Sequence, residues 1–353
     1  MKFLLIISCL LFTSVGWSKD VDWEDLVQRE GLYYEKHTDV PFTGNVVGEK
    51  QGKISKGIQN GEWIEYWENG QLKLKGNVKN GQQEGEVLYY YENGKLEIKG
   101  NFKNGKVEGE YLKYYENGQL KYKSNYKNGK QDGQWSYYYD NGQLQFKSNY
   151  KDGKKDGEQL WYYENGQLKW KSNYKNGKEE GEFLWYYENG QLEGKRNYKN
   201  GKVEGEYLKY YENGQLKYKE NYKDDKEEGE WLNYYENGQL KIKGNYIDGK
   251  KEDEFLYYYK NGKLEIKGNF KNGTVEGEYL KYYENGQLKY KSNHKDGKQE
   301  GEWLYYYDNG QLQFKSNYKD GKKDGETFWY KENGKLIKTE IWKDNKLIET
   351  IKP

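Results

Sequence analysis

Carboxylates are the most abundant reactive side chains in this 353-residue sequence, which carries 58 Asp and Glu. A pair of carboxylates with separated pKa values is enough to hydrolyse a glycosidic bond. Here the carboxylates recur at turns and strand ends, unit after unit, and none is chemically singled out. A catalytic site needs a unique constellation, so the pattern argues against an enzyme. Nucleophilic and metal chemistry is equally thin. There are two histidines, His37 and His294, far apart in sequence, and one cysteine, Cys9. No His cluster can be built from them, and no cofactor or metal is expected. What remains is aromatic, with 41 Tyr, 12 Trp and 10 Phe. Tyr89, Tyr137, Trp161, Trp185, Tyr257 and Tyr305 hold one place in a repeating pattern and are the candidates for ligand contact. Rings of this kind offer a large apolar surface with a polar handle. The same rings would also serve as the ladder that holds a sheet together. Arg196 breaks the pattern and is a candidate docking residue.

Those rings must be positioned by a repeat. Asn-Gly occurs at 69–70, 93–94, 117–118 and onward to 333–334, every 24 residues without insertion. A second turn signal follows eleven residues later, as at Asn104-Gly105 and Asp152-Gly153. It is altered at Asp224-Asp225 and Asp344-Asn345. One unit runs Gly301-Glu302-Trp303-Leu304-Tyr305-Tyr306-Tyr307-Asp308, then Asn309-Gly310, then Gln311-Leu312-Gln313-Phe314-Lys315-Ser316-Asn317-Tyr318-Lys319. Asn-Gly between β-rich arms signals a hairpin. The sequence therefore predicts an all-β protein: twelve tandem hairpins in an elongated, single antiparallel sheet. At ~4.8 Å per strand, two dozen strands would extend on the order of 115 Å. Twist or coiling is expected in so large a sheet.

A two-residue Asn-Gly turn would set Tyr307 opposite Leu312, Tyr305 opposite Phe314 and Trp303 opposite Ser316, all on one face. Ser316 is matched by glycine in other units (Gly76, Gly100, Gly244, Gly268), so a ring lies over a small residue. The second face would carry Leu304 and Tyr306 against Lys315 and Gln313, with a tyrosine column from Tyr66 to Tyr330. A four-residue second loop, such as Asn128-Gly129-Lys130-Gln131, would put Tyr126 opposite Gly133 and keep the ladder unsheared. The Lys and Glu columns suit a solvated face that guards against aggregation.

The ends differ. Residues 1–18 read as a signal peptide: Lys2, an apolar run from Phe3 to Phe12, and small residues Gly16 and Ser18 before a cleavage point. Ile6-Ile7-Ser8-Cys9 has the pattern of a lipobox, but the apolar run before Cys9 is short, so lipid attachment there is the lesser expectation. Export to the periplasm, cell surface or medium is expected, with no spanning segment in the mature chain. Losing Lys2 from 59 basic residues leaves 58, equal to the 58 acidic. Zero net charge removes the electrostatic case for nucleic acid or anionic lipid. Residues 19–59 fall outside the repeat and contain Pro41, reading as an N-terminal cap. The tandem repeats occupy 60–331, and 332–353 reads as a degenerate last repeat and cap that closes the sheet edge. Within the array, Gly194 and Arg196, Asp224-Asp225 and Asp253 are irregular. Val107 to Lys123 recurs almost unchanged at Val203 to Lys219 and Val275 to Lys291, which implies recent internal duplication.

The unit Gly-Glu-Trp-x-x-Tyr-Tyr-Glu-Asn-Gly-Gln-Leu, followed by Asn-Tyr-Lys-Asn-Gly-Lys-x-x-Gly, resembles the bacterial variant of the membrane occupation and recognition nexus (MORN) repeat. Gly31-Leu32-Tyr33-Tyr34 and Val40-Pro41-Phe42-Thr43-Gly44 are similar to the opening of such proteins. The resemblance covers about residues 31 to 345. It implies an elongated antiparallel sheet of hairpins, and it includes relatives described as antitoxin components. The expectation is a non-catalytic exported surface or scaffold for protein or glycan. An antitoxin or immunity role toward a cognate toxin is the alternative.

Overall fold

The computed structural model describes residues 19–353; the expected leader over 1–18, with Cys9, lies outside the described residues. The chain divides into two compact units, one up to Lys154 and one from Lys155 onward. Each is built of β-hairpins. Among the described residues there is no α-helix, only a 3-10 turn at Trp23–Asp25.

The 24-residue period becomes one hairpin. Its outgoing strand is Gly301–Tyr306 in the representative unit, its return strand Leu312–Lys319, and the next outgoing strand Lys322–Tyr330. Trp303 pairs with Ser316, and Ser316 pairs with Thr327. Positions 303 and 327 are one period apart, so successive hairpins stack in register and the ladder is unsheared, as expected.

Both turns differ in length from expectation. At Asn309-Gly310 the Gly310 N–H donates to the Tyr307 carbonyl at 3.0 Å, and the Tyr307 N–H to the Gln311 carbonyl at 2.8 Å. Gly310 has φ +83°, whereas Asn309 is not left-handed. This is a three-residue loop, Asp308-Asn309-Gly310, a type I turn closed by a glycine bulge. Asn309 Oδ1 accepts the Gln311 N–H at 2.9 Å, and that local bond favours this turn. The two-residue turn is the other one. Tyr126 pairs with Gln131 and Lys127 with Lys130. Asn128 and Gly129 have φ of 53° and 76°, the doubly left-handed geometry of type I′. The four-residue loop is therefore absent. Tyr126 faces Gly109 of its own hairpin, and Gly133 faces Tyr150.

A bulge, not a loop, cancels the offset between the turns. Tyr318 pairs with Lys323 while Ser316 pairs with Thr327. Two extra residues are thus absorbed in the outgoing strand, at Gly325 with φ +106°. A second irregularity reassigns two columns. Tyr305 faces Phe314 but Tyr306 faces Leu312, leaving Gln313 as the extra residue. Leu312 therefore joins the second face beside Tyr306. The column of Gln313 joins the first face, where the Lys169 and Lys217 ammonium groups lie 5.3 and 5.1 Å from the rings of Tyr163 and Tyr211. The expected pairs Tyr307–Leu312 and Tyr306–Gln313 are not made.

Packing follows the faces. On the first, rings cover small residues: a Cβ added at Gly244 would stand 2.2 Å from Phe255, and one at Gly268 2.7 Å from Tyr279. Ser124, Ser292 and Ser316 are fully buried at the same position. On the second, Lys75–Glu62 and Lys219–Glu206 pairs, each 3.0 Å, recur across strands with both partners well exposed. Such pairs contribute little, about 0–1 kcal/mol each.

The N-terminal region has a small conventional core of Val21, Phe42, Val46, Ile54 and Trp63. Strand Asp20–Asp22 pairs in parallel with Gly44–Val47, and Leu26–Arg29 forms a separate hairpin with Leu32–Glu35. At the other end, Lys346–Ile351 pairs with Leu336–Lys343, and all six of its residues are exposed, Ile348 at 63%.

Candidate functional site

Much of the repeated polar chemistry is spent on joining one repeat to the next. The Tyr211 hydroxyl donates to the Tyr234 carbonyl at 2.9 Å, and the same bond recurs at Tyr235, Tyr259, Tyr283 and Tyr307. Asn213 Nδ2 donates to the Glu236 carbonyl at 3.1 Å. At the opposite end the carboxylates take over. Glu204 accepts the Asp224 N–H at 3.0 Å, Glu252 that of Asn272 at 2.7 Å, and Glu300 that of Asp320 at 2.9 Å. These bonds reach 20 to 23 residues along the chain, so each hairpin tip is tied to its neighbour.

Two irregular units are explained the same way. Asp225 keeps a left-handed φ of 69° where other units have glycine, and its Oδ1 accepts the Val203 N–H at 2.7 Å. Asn345 does the same for the Lys323 N–H at 2.6 Å. Asp253 keeps φ of 63° and stands opposite Phe270.

The six candidate rings all lie half-buried on the first face. Tyr89 pairs with Ile98 and accepts from Gln83 Nε2 at 3.0 Å. Tyr137 lies 5.0 Å from Tyr122 and 6.1 Å from Phe146, centroid to centroid. Tyr257 accepts from Lys251 Nζ at 2.8 Å. Tyr305 stacks on Phe314 at 4.5 Å and lies 5.0 Å from Tyr290. These are ladder contacts. Trp161 and Trp185 belong to a denser run: Trp161 stacks on Trp170 at 5.4 Å, Trp170 on Phe183 at 5.6 Å, and Phe183 tilts against Trp185 at 5.5 Å.

Arg196 sits at the end of that run. It pairs with Phe183 on one side and Tyr207 on the other. Its guanidinium is 4.8 Å from the Tyr198 ring, 5.3 Å from Phe183 and 5.9 Å from Trp185. Desolvation raises the Tyr198 hydroxyl pKa, with the Arg196 charge opposing the rise. Gly194 explains the geometry. Its neighbours in the ladder are Trp185 and Lys209, and an added Cβ would stand 2.3 Å from the Trp185 ring. Where most other units place an apolar side chain and then a small residue, this one places a glycine and then an arginine. The exchange opens a cavity of about 360 Å³ lined by Tyr163, Lys169, Trp170, Phe183, Trp185, Tyr186, Glu193, Arg196, Tyr207 and Lys209. Of the sequence candidates the cavity gathers Trp185 and Arg196. Trp161 lies one ring away and the other four lie elsewhere. Trp170, Phe183, Tyr207 and Lys169 were not singled out from the sequence. Their signal was the crowding of Trp and Phe in consecutive strands beside the one arginine of the repeats.

His294 is flanked by Tyr279 and Trp303, and burial lowers its pKa. Among the described residues no group of three or more His, Cys, Asp or Glu could hold a metal ion, and no helix is long and apolar enough to cross a membrane.

In-register hairpins joined tip to tip define a tandem β-hairpin repeat protein. The chain belongs to the MORN repeat variant family, whose model matches it twelve times, at residues 59–80, 83–104, 107–128, 131–152, 155–176, 179–200, 203–224, 227–248, 254–272, 275–296, 299–320 and 323–344. No curated protein matches the chain. Among solved structures it is similar to a chain of the crystal structure of TcdB2-TccC3-Cdc42, at 13% identity and TM-score 0.17, over 83% of this chain and 17% of that one. It is also similar to a chain of the Photorhabdus luminescens Tc holotoxin pore carrying a TccC3 mutation, at 17% identity and TM-score 0.17, again over 83% and 17%. The chain thus spans 17% of the length of those two chains.

Proposed function

We propose that this protein is an exported, non-catalytic repeat protein that binds a protein or glycan through its first face, with the cavity around Arg196 as the selective contact. One observation carries the reading. The repeated carboxylates and turn amides serve hairpin-to-hairpin bonds, whereas the Gly194/Arg196 exchange opens a 360 Å³ hollow lined by aromatic and charged side chains. Pockets of this size with a few convergent polar groups are the usual form of a binding site. The leader-like residues 1–18 support export.

The test is capture from the exported fraction and from candidate surfaces, using residues 19–353 and an Arg196→Ser variant. Binding that saturates with the wild-type chain and drops with the variant supports the reading. Capture that ignores Arg196 and falls only in proportion to repeats removed would move the contact to the general ladder. One stoichiometric protein toxin as ligand would favour the immunity role. Fractionation of cells expressing the full chain, with N-terminal sequencing, tests export: a mature chain starting at Lys19 is expected.

A further inference from the structure

We infer that the Arg196 cavity binds a carboxylate-bearing pyranose, a uronic acid residue of a glycan. This rests on the binding-surface reading and narrows it to one chemistry. A pyranose is apolar on its ring faces and polar around its rim, so its site needs an exposed aromatic face, polar groups at the edge and a space of a few hundred Å³. The cavity provides about 360 Å³ beside Trp185. Because Gly194 has no side chain, the Trp185 indole lies against backbone, within what would be 2.3 Å of a Cβ. In the preceding repeat Trp170 occupies the place of Gly194 and fills it by stacking on Trp161 with 25° between ring planes. At Gly194 that ring is missing and the Trp185 indole covers the bare backbone instead, with the hollow beside it.

Charge selects the carboxylate. Glu193 is engaged by Lys209 at 3.2 Å, a pair repeated at Glu97–Lys113 and Glu265–Lys281. That leaves Arg196 and Lys169, which among the described residues face rings rather than carboxylates. Arg196 Nε is buried with no hydrogen-bond acceptor. The Tyr198 hydroxyl accepts one hydrogen bond from the guanidinium, but a guanidinium held in place by three rings with its Nε–H still without an acceptor is matched by a planar carboxylate, which it can grip with two parallel hydrogen bonds. Lys169, at the edge beside Tyr163, adds a second positive charge. Serine stands at the Arg196 position in the preceding repeat, as Ser172, and glutamate in the following one, as Glu220, so the positive charge is specific to this unit.

The test is calorimetric titration of residues 19–353 with trigalacturonate, with its neutral methyl ester and with triglutamate. The variants are Arg196→Ser, Arg196→Lys and Trp185→Ala, each checked for an unchanged β circular dichroism spectrum. Trigalacturonate should bind, with the ester weaker by about tenfold or more. Arg196→Ser and Trp185→Ala should each lose about tenfold or more, and Arg196→Lys less, because charge survives without the planar fork. No binding of trigalacturonate, equal binding of acid and ester, or indifference to Arg196→Ser overturns the inference. So does triglutamate binding as well as the sugar, which would assign the site to an acidic peptide. If the sugars fail but the captured ligand still depends on Arg196, the uronate assignment falls and the binding-surface reading stands. If nothing is captured either, both fall.

Discussion

Tyr235 occupies a column whose regularity suggests a binding surface, yet its hydroxyl is spent on the Tyr258 carbonyl 2.9 Å away in the next repeat. Tyr235→Phe keeps the ring and removes that bond, so it should lower stability by about 0.5–1.5 kcal/mol. The urea midpoint should fall with no change in the slope of the transition. First-face tyrosines make the fold sensitive to alkali. Burial, with a smaller push from Glu179, moves Tyr174 from 10.0 to about 12. Tyr218, Tyr222 and Tyr290 are raised for the same leading reason. A folded pKa above the unfolded one means the folded chain holds its protons longer. The stability this contributes is complete below pH 10 and is lost as pH rises toward 12. Melting temperature should therefore hold up to about pH 10 and then drop, with tyrosinate absorbance rising in step. A flat melting temperature across that window would refute the assignment.

At the level of the element, the hairpin and its period could be read directly from twelve Asn-Gly pairs, and so could the ring-over-small-residue rule at Gly244 and Gly268. Turn lengths could not, because Asn-Gly marks both turns. The difference lies in the residue before the glycine: Asn128 is left-handed with φ of 53°, while Asn309 is not. The flanks carry the distinction in hindsight. Tyr-Asp-Asn-Gly-Gln fills the two right-handed places of a type I turn with Asp308 and Asn309. Lys-Asn-Gly-Lys leaves only Asn128 and Gly129 for a two-residue turn. A one-residue change in loop length then moved Leu312 and Gln313 to opposite faces, since alternation has period two. The cavity was legible only as an anomaly at Gly194 and Arg196; its depth depends on Trp170 and Tyr207, which cross-strand pairing brings together. Two aspartates in left-handed positions separate strain from compensation. Asp253→Gly should stabilise by about 0.5–1 kcal/mol, because the glycines at this position, such as Gly85 and Gly109, have open space around them. Asp225→Gly should change stability by less than about 0.5 kcal/mol, since it also surrenders the bond to the Val203 N–H. Thermal denaturation of the two variants beside wild type checks both signs.

For the molecule as a whole, the in-register stacking of Trp303, Ser316 and Thr327 makes 24 residues the unit of length. Deleting residues 275–298 should leave a folded β protein whose urea slope falls with the surface removed. Deleting 275–297 instead should disrupt the hairpins at the junction, because a one-residue slip turns each strand over. Circular dichroism and size-exclusion chromatography distinguish the two.

The tip-to-tip bonds also give the chain a mechanical character. Held by one terminus and pulled at the other, a hairpin can leave only by breaking its own ladder and its tyrosine and carboxylate ties to the next. With nearly the same set of ties at each step, force would peel the chain in even increments. Each would release 24 residues, about 80 Å of extended chain, so the protein would pay out length like a spooled tether under load.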